Sequence, residues 1–356
     1  MNITQEKTGD LTALVKVEVG EQDYIDEVNT VLKDYQKKAN MPGFRPGKVP
    51  FGLVKKMYGK SVLAEEVNKI LTDAINKYLV ENEIKILGHP LPNKEKSPEQ
   101  NFEVDKDFEF YFDIGLAPEV DQEVNDKVKV DYYQIEPDEK FLSEYIEDIR
   151  KRVGETEESG PAEVNEDLFK KVFPQDDIKT EEDFKKRISD EARINFIKES
   201  DHLFMNDTIE KLIEEAKLEL PDEFLKKWLL ESNEGQITEE KIDEEYEQYS
   251  KALRWQLIQN KIIKDHNLEV QQEDIRSYIK DYLEQQLHMH DDSDEARDRL
   301  NSIVDSVMQN KEEVSKIYDQ LLDQKMKDLL KNTLKLRNKK VTYDDFIKLV
   351  KEKNKK

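Results

Sequence analysis

The sequence has no cysteine, only 11 glycines and 11 prolines, and two tryptophans in 356 residues. Without cysteine there is no disulfide framework, thiolate zinc site or thiol nucleophile. No run approaches the roughly 18 apolar residues that a membrane-crossing helix needs. Residues Met1–Asp10 do not pair a basic segment with an apolar one, so no secretory leader is expected and the cytoplasm is the expected compartment. Hydrophobic residues make up 36% and charged residues 39%, the reverse of the ordinary balance. Histidines number five. Only His288-Met289-His290, followed by Asp291 and Asp292, has metal-ligand residue types. On a helix, positions two apart point to different faces, so no metal site is expected there. The glycines form no phosphate-cradling motif, and no nucleophile is legibly paired with a base. No catalytic residue and no cofactor are expected.

What is abundant is charge, and it is unevenly spread. The 57 Lys+Arg against 81 Asp+Glu give a net of −24, which argues against a general nucleic-acid binder because phosphates repel such a surface. Residues 1–115 carry 16 basic and 20 acidic residues, a net of −4, and the remainder carries −20. Within the first part, Lys33, Lys37, Lys38, Arg45, Lys48, Lys55, Lys56 and Lys60 face only Asp34, a net of +7 over residues 33–60.

Periodicity divides the chain. Leu11, Ala13, Val15, Val17 and Val19 alternate with polar residues, and Thr8-Gly9-Asp10 supplies a turn, so 2–19 is expected to be a β-hairpin. Tyr24, Val28, Val31, Leu32, Tyr35 and Ala39 recur at helical spacing over 22–40. A short helix is expected from Pro50 to Tyr58, and a separate one from Ser61 to about Glu83. Strands follow at 84–87 and 101–116. Beyond a connector with one strand at 128–135, helices are expected at about 138–152, 163–171, 180–217, 221–233, 238–265, 271–288, 294–309, 311–338 and 342–353. The fold class is therefore an α+β N-terminal domain followed by a mainly α-helical C-terminal domain with protruding helical arms, elongated and multidomain. Its expected divisions are 1–115, a connector and first helix at 116–152, a linker at 153–161, and a helical domain at 162–356.

Residues 41–50 stand apart. Met41-Pro42-Gly43-Phe44-Arg45-Pro46-Gly47-Lys48-Val49-Pro50 holds three prolines and two glycines, which no regular element can cross. A stiff loop loses little entropy on docking. Phe44 can anchor it, and Arg45 and Lys48 can meet phosphate or carboxylate. The competing reading folds Phe44 back as the loop's own core.

The run Gly43 to Pro50, placed after one amphipathic helix and before another, resembles the signature loop of the trigger factor family, ribosome-associated chaperones of bacteria. Leu218-Glu219-Leu220-Pro221 resembles the family's break before an arm helix, and Val341-Thr342-Tyr343-Asp344-Asp345-Phe346 its closing segment, so the resemblance covers nearly the whole chain. It implies ribosome-binding residues Gly43, Phe44, Arg45, Pro46, Gly47 and Lys48, with Phe44 and Arg45 at the docking tip. Pro46 stands where the family has a further basic residue, and Lys48 is the candidate to compensate. The implied partners are the ribosome, through an exit-tunnel protein and nearby rRNA, and unfolded or nascent polypeptides, with no membrane. The family's self-association leaves a homodimer open. Met205, Trp228, Leu229, Trp255, Met289, Met308 and Met326 are candidates for an adaptable client-binding lining, with core packing as the rival reading.

The family usually carries an FK506-binding-type prolyl isomerase domain after the helix that follows the connector. Here nine residues, Val153 to Pro161, occupy that place, too few to bury a core. The expected function is an ATP-independent chaperone that docks at the ribosomal exit and is not an enzyme. The alternatives are a periplasmic-type helical holdase, a chaperone with residual isomerase activity, and a helical scaffold that would leave the Gly-Phe-Arg loop unexplained.

Overall fold

The computed structural model describes residues 1–45, 47–97, 102–103, 106–154, 160–233, 236–287 and 294–353. The chain divides into two compact units, one formed by Met1–Glu119 with Leu218–Leu253 and the other by Val120–Lys217 with Arg254–Lys356.

In the first unit, β1 (Asn2–Lys7) and β2 (Thr12–Val19) form the expected hairpin. They are joined by β3 (Ile86–Pro92) and β4 (Phe108–Leu116) in an antiparallel sheet of order β1-β2-β4-β3. Alternation aims Ala13, Val15, Val17 and Val19 into the core. Helix α1 (Glu21–Lys38) covers that face with Tyr24, Val28 and Leu32, all at most 1% exposed. The Tyr24 hydroxyl donates to the Lys106 carbonyl at 2.8 Å, so its one polar atom is satisfied.

Helix α2 runs unbroken from Phe51 to Glu81. The expected break between Tyr58 and Ser61 is absent. One glycine costs a helix about 1 kcal/mol. Each buried aliphatic side chain of this helix returns about 1.5–3 kcal/mol, and Val54, Val62, Leu63, Val67, Leu71 and Ile75 are all buried on one core. Continuity keeps them in register across Gly59.

Helix α6 (Asp222–Ser232) and the first part of α7 (Glu239–Asp265) belong to this unit. The absence of a side chain at Gly115 lets Phe224 lie against β4, because a Cβ there would come within 2.4 Å of the Phe224 ring. Lys227 pairs with Asp113 at 3.2 Å, and the Trp228 indole donates to His89 Nδ1 at 2.8 Å.

The second unit contains α3 (Glu139–Val153), α4 (Glu166–Val172), α5 (Glu181–Ala216), α8 (Gln272–Leu287), α9 (Asp294–Gln309), α10 (Lys311–Thr333) and α11 (Tyr343–Lys353). It also holds a parallel pair of strands, β5 (Lys129–Glu136) and β6 (Lys335–Thr342). Strand β6 corrects the sequence expectation, which carried a helix to residue 338. Leu334 ends α10 in an extended conformation, and Lys335 N–H donates to the Val128 carbonyl at 3.0 Å, which starts the ladder with β5.

The 36 residues of α5 extend about 54 Å. Thr180 caps its first turn by accepting from Asp183 N–H, and Lys217 ends it in the left-handed region at φ 46°. Its stripe buries Phe184, Ile188, Ala192, Phe196, Leu203 and Leu212. Phe184 stacks on Phe169 at 4.5 Å. Asp201, on the same helix, is buried but fully engaged: it accepts from Tyr132 Oη at 2.8 Å and from Lys331 Nζ at 2.6 Å, with Lys327 Nζ at 3.1 Å. A smaller core of Ile275, Ile279 and Val304 joins α8, α9 and α10. No helix among the described residues is long and apolar enough to cross a membrane.

Candidate functional site

The sequence places its strongest functional signal in the loop between α1 and α2, and the structure explains how that loop is held. Lys37 and Lys38 close α1, where cations favour the negative end of the helix dipole. Ala39 then turns the chain into an extended conformation. Gly43 and Gly47 take φ of +90° and +75°, in the left-handed region that side chains resist. At Gly47 space is also short, since a Cβ would stand 3.0 Å from the Lys37 carbonyl oxygen.

Hydrogen bonds tie the loop to itself and to α1. Phe44 N–H donates to Met41 O at 3.1 Å, Lys48 N–H to Arg45 O at 2.9 Å, and Gly47 N–H to Ala39 O at 3.2 Å. Gln36 Nε2 donates to Val49 O at 2.7 Å, and Val49 is wholly buried. The base of the loop is thus part of the core while its tip is not. Phe44 is 40% exposed, which sets aside the reading that folds it back as core. Arg45 and Lys48 are exposed, and no carboxylate among the described residues pairs with either. Pro46 lies outside the described residues. Beside the loop, exposed Tyr35 on α1 rests against Tyr58 on α2, with ring centroids 5.3 Å apart. The basic flank is therefore a surface with aromatic rings in it.

A second candidate surface lies in the other unit and was not found by sequence reasoning. A groove of about 690 Å³ is lined by Phe141, Tyr145 and Ile149 of α3, Phe173 after α4, Ile188 and Phe196 of α5, and Tyr343 of α11. Phe141 is its hub, within 5.0 Å of Phe196, 5.3 Å of Tyr343 and 5.6 Å of Tyr145 by ring centroid. Asp138, Glu144, Asp148, Glu191 and Asp344 are among its lining residues, against Arg152 as the one cation. An apolar floor with an acidic rim can take an apolar segment flanked by Lys or Arg. The five rings come from four separate stretches of sequence, so no local motif announces them.

None of the described adaptable residues singled out from sequence lines this groove. Met326 is 1% exposed and belongs to a core, Met308 packs among α8, α9 and α10, and Trp228 is held by His89. Met289 lies outside the described residues, as do His288 and His290. Among the described residues no cluster of three His, Asp or Glu could hold a metal.

Residues 1–149 match the family model described as bacterial trigger factor protein, and residues 200–350 match the model of the probable trigger factor C-terminal domain. The chain belongs to the trigger factor family. Both matched models are terminal domains of trigger factor, and the segment between them, 150–199, contains α4, the end of α3 and the start of α5. A trigger factor of Rickettsia rickettsii is 31% identical over 149 residues, 42% of this chain and 32% of the relative. One of Allorhizobium ampelinum is 34% identical over 135 residues, 37% of this chain and 27% of the relative. One of Pelagibacter ubique is 29% identical over 151 residues, 42% of this chain and 31% of the relative. The chain thus aligns with about a third of the length of these trigger factors. A solved structure described for promiscuous substrate recognition by the trigger factor chaperone has the same fold, with a TM-score of 0.55 at 16% identity. It covers 93% of this chain and 99% of that one.

Proposed function

We propose that this trigger factor relative is an ATP-independent chaperone of the cytoplasm that docks at the ribosomal exit and holds nascent or unfolded polypeptides. The observation that carries the reading is the loop tip, a Phe side chain held 40% exposed beside two exposed cations, Arg45 and Lys48, on a core-anchored, glycine-shaped turn. In this reading Phe44 is the apolar anchor. Arg45 and Lys48 contact rRNA phosphate or acidic side chains, and the +7 flank steers the approach. Gly43 and Gly47 shape the tip. Such docking weakens with salt, because counterions are released from phosphate and exposed charges are screened.

The groove around Phe141 is the proposed client surface. Its rings supply apolar contact without sequence-specific geometry, and the surrounding charge of the chain keeps it soluble while that surface is open. Holding by this means needs no nucleotide. Isomerase activity is not part of the proposed function, since nine residues stand at the place where the family carries that domain. The division into a ribosome-binding part at 1–115, a connector at 116–152, a linker at 153–161 and a client-binding part at 162–356 belongs to the same proposal.

The test is aggregation of a chemically unfolded client diluted into buffer without nucleotide. The purified chain is expected to suppress light scattering at near-stoichiometric amounts, and Phe141→Ala with Tyr145→Ala to suppress it less. Scattering unaffected by the chain would remove the holding role. A prolyl-peptide isomerisation rate well above background would contradict the non-enzymatic reading.

A further inference from the structure

Strand β6 is paired on one side only. Its partner is β5, in parallel register from Lys129↔Lys335 to Glu136↔Thr342, and among the described residues no third strand joins this sheet. The bond from Lys335 N–H to Val128 O fixes which way the backbone faces. In a strand, successive residues direct their N–H and C=O to opposite edges. Residues 335, 337, 339 and 341 therefore face β5, and Leu336, Asn338 and Lys340 direct theirs to the free edge. Residues 337–340 are all exposed. Such an edge is a template for another strand unless something prevents it.

Charge decides which strand fits. Lys335, Arg337, Lys339 and Lys340 put four cations and no acid into eight residues of a chain whose net charge is −24. Arg337 and Lys339 share a single carboxylate, Asp131, at 2.6 and 2.8 Å. Lys340 meets Glu136 at 2.6 Å, and Lys335 has no carboxylate partner among the described residues. The strand keeps an excess of positive charge. Pairing with β6 of a second copy would set like charges opposite one another, which is unfavourable. An extended segment bearing carboxylates meets the opposite situation.

We infer that the outer edge of β6 accepts an extended acidic polypeptide segment as the third strand of this sheet. Main-chain hydrogen bonds form at Leu336, Asn338 and Lys340, and carboxylates on one face of the incoming strand meet Lys335, Arg337 and Lys339. Main-chain bonds supply affinity with little sequence demand, and the alternating side chains supply the preference for acid. The inference rests on the ladder geometry and charge of β6 and does not depend on the chaperone reading.

The test uses the full-length, isotope-labelled chain titrated with a short peptide of alternating Val and Glu and with its Val/Lys counterpart. The acidic peptide is expected to shift the amide resonances of Leu336, Asn338 and Lys340 and slow their hydrogen exchange. The amides of Arg337 and Lys339, already bonded to β5, change little, and the basic peptide produces no such pattern. Asn338→Pro removes one outward donor and no β5 bond, and is expected to weaken binding about tenfold, equivalent to about 1.4 kcal/mol. Lys335→Glu leaves the backbone untouched and is expected to weaken binding as well, which covers the case in which proline disturbs the strand. The inference is overturned if saturating acidic peptide leaves the three amides unchanged, if the basic peptide binds equally well, or if Lys335→Glu binds as tightly as the parent. Because the readout is a defined peptide on defined amides, its failure is distinct from a failure to suppress client aggregation.

Discussion

Arg150 and Ala162 are bonded to each other twice. Ala162 N–H donates to the Arg150 carbonyl at 3.1 Å, and Arg150 Nε donates back to the Ala162 carbonyl at 2.7 Å. The Arg150 guanidinium also holds Glu147 at 2.7 Å through Nη1. The chain that leaves α3 thus returns to it within twelve residues. The closure fixes the entry to α4, whose Leu168 and Phe169 complete the core built by Leu142, Ile146 and Ile149.

Arg150→Ala removes the side-chain half of this closure and leaves the Ala162 carbonyl unpaired. The expected loss is about 1 kcal/mol, read as a lower urea midpoint at unchanged slope. Arg150→Lys recovers little of it, because an ammonium cannot hold the Ala162 carbonyl and Glu147 with the planar fork of arginine.

Asp201 supplies the clearest pH dependence. Burial pushes its carboxyl up, but hydrogen bonds from Lys331, Tyr132 and Lys327 outweigh burial and hold it below the usual carboxylate range. Burial likewise pulls Lys331 down, and the bonds to Asp201 and Tyr132 outweigh it and raise it above the ordinary lysine value. A lowered carboxyl contributes stability above its unfolded value that is lost as pH falls through the folded one. A raised ammonium contributes stability that is lost as pH rises through its own folded value. Asp201→Asn is expected to cost about 1–3 kcal/mol near neutrality. The difference from the parent should be flat at neutral pH, shrink below about pH 4 and shrink again above about pH 10.5. Denaturation midpoints across pH check this, and a difference that does not begin to shrink as pH falls below about 4 contradicts it.

At Gly115 any added methyl meets the Phe224 ring at 2.4 Å and Pro221 Cγ at 3.1 Å. Gly115→Ala should destabilise the chain by about 1–3 kcal/mol through overpacking. Phe224→Leu in the same chain should recover part of that loss, so that the two changes are non-additive in chemical denaturation. Strict additivity would place the strain elsewhere.

Much of the first unit is legible because its signals are local. The alternation from Leu11 to Val19 and the spacing of Tyr24, Val28 and Leu32 each specify one face of one element. The continuity of α2 is less visible, since Gly59 and Ser61 look like punctuation until the burial on both sides of them is counted. Strand β6 could not be read at all. Lys-Leu-Arg-Asn-Lys-Lys-Val-Thr has no apolar alternation, and it is a strand because β5, some two hundred residues earlier, presents a ladder to it. The loop tip was legible for the opposite reason: its glycines and prolines exclude every regular structure, so Phe44 and Arg45 had to be explained by use. The groove around Phe141 was hidden because its rings converge only in three dimensions.

The central claim is that the α1–α2 loop is the tether to the ribosome. Co-sedimentation with purified ribosomes in low and moderate salt tests it most directly, comparing the parent chain with Phe44→Ala/Arg45→Ala. The exposed tip makes both substitutions neutral to folding within about 0.5 kcal/mol, so circular dichroism and melting should be unchanged. The account predicts that the parent pellets with ribosomes, less as salt rises, and that the double variant stays in the supernatant. A folded double variant that pellets as well as the parent would contradict it.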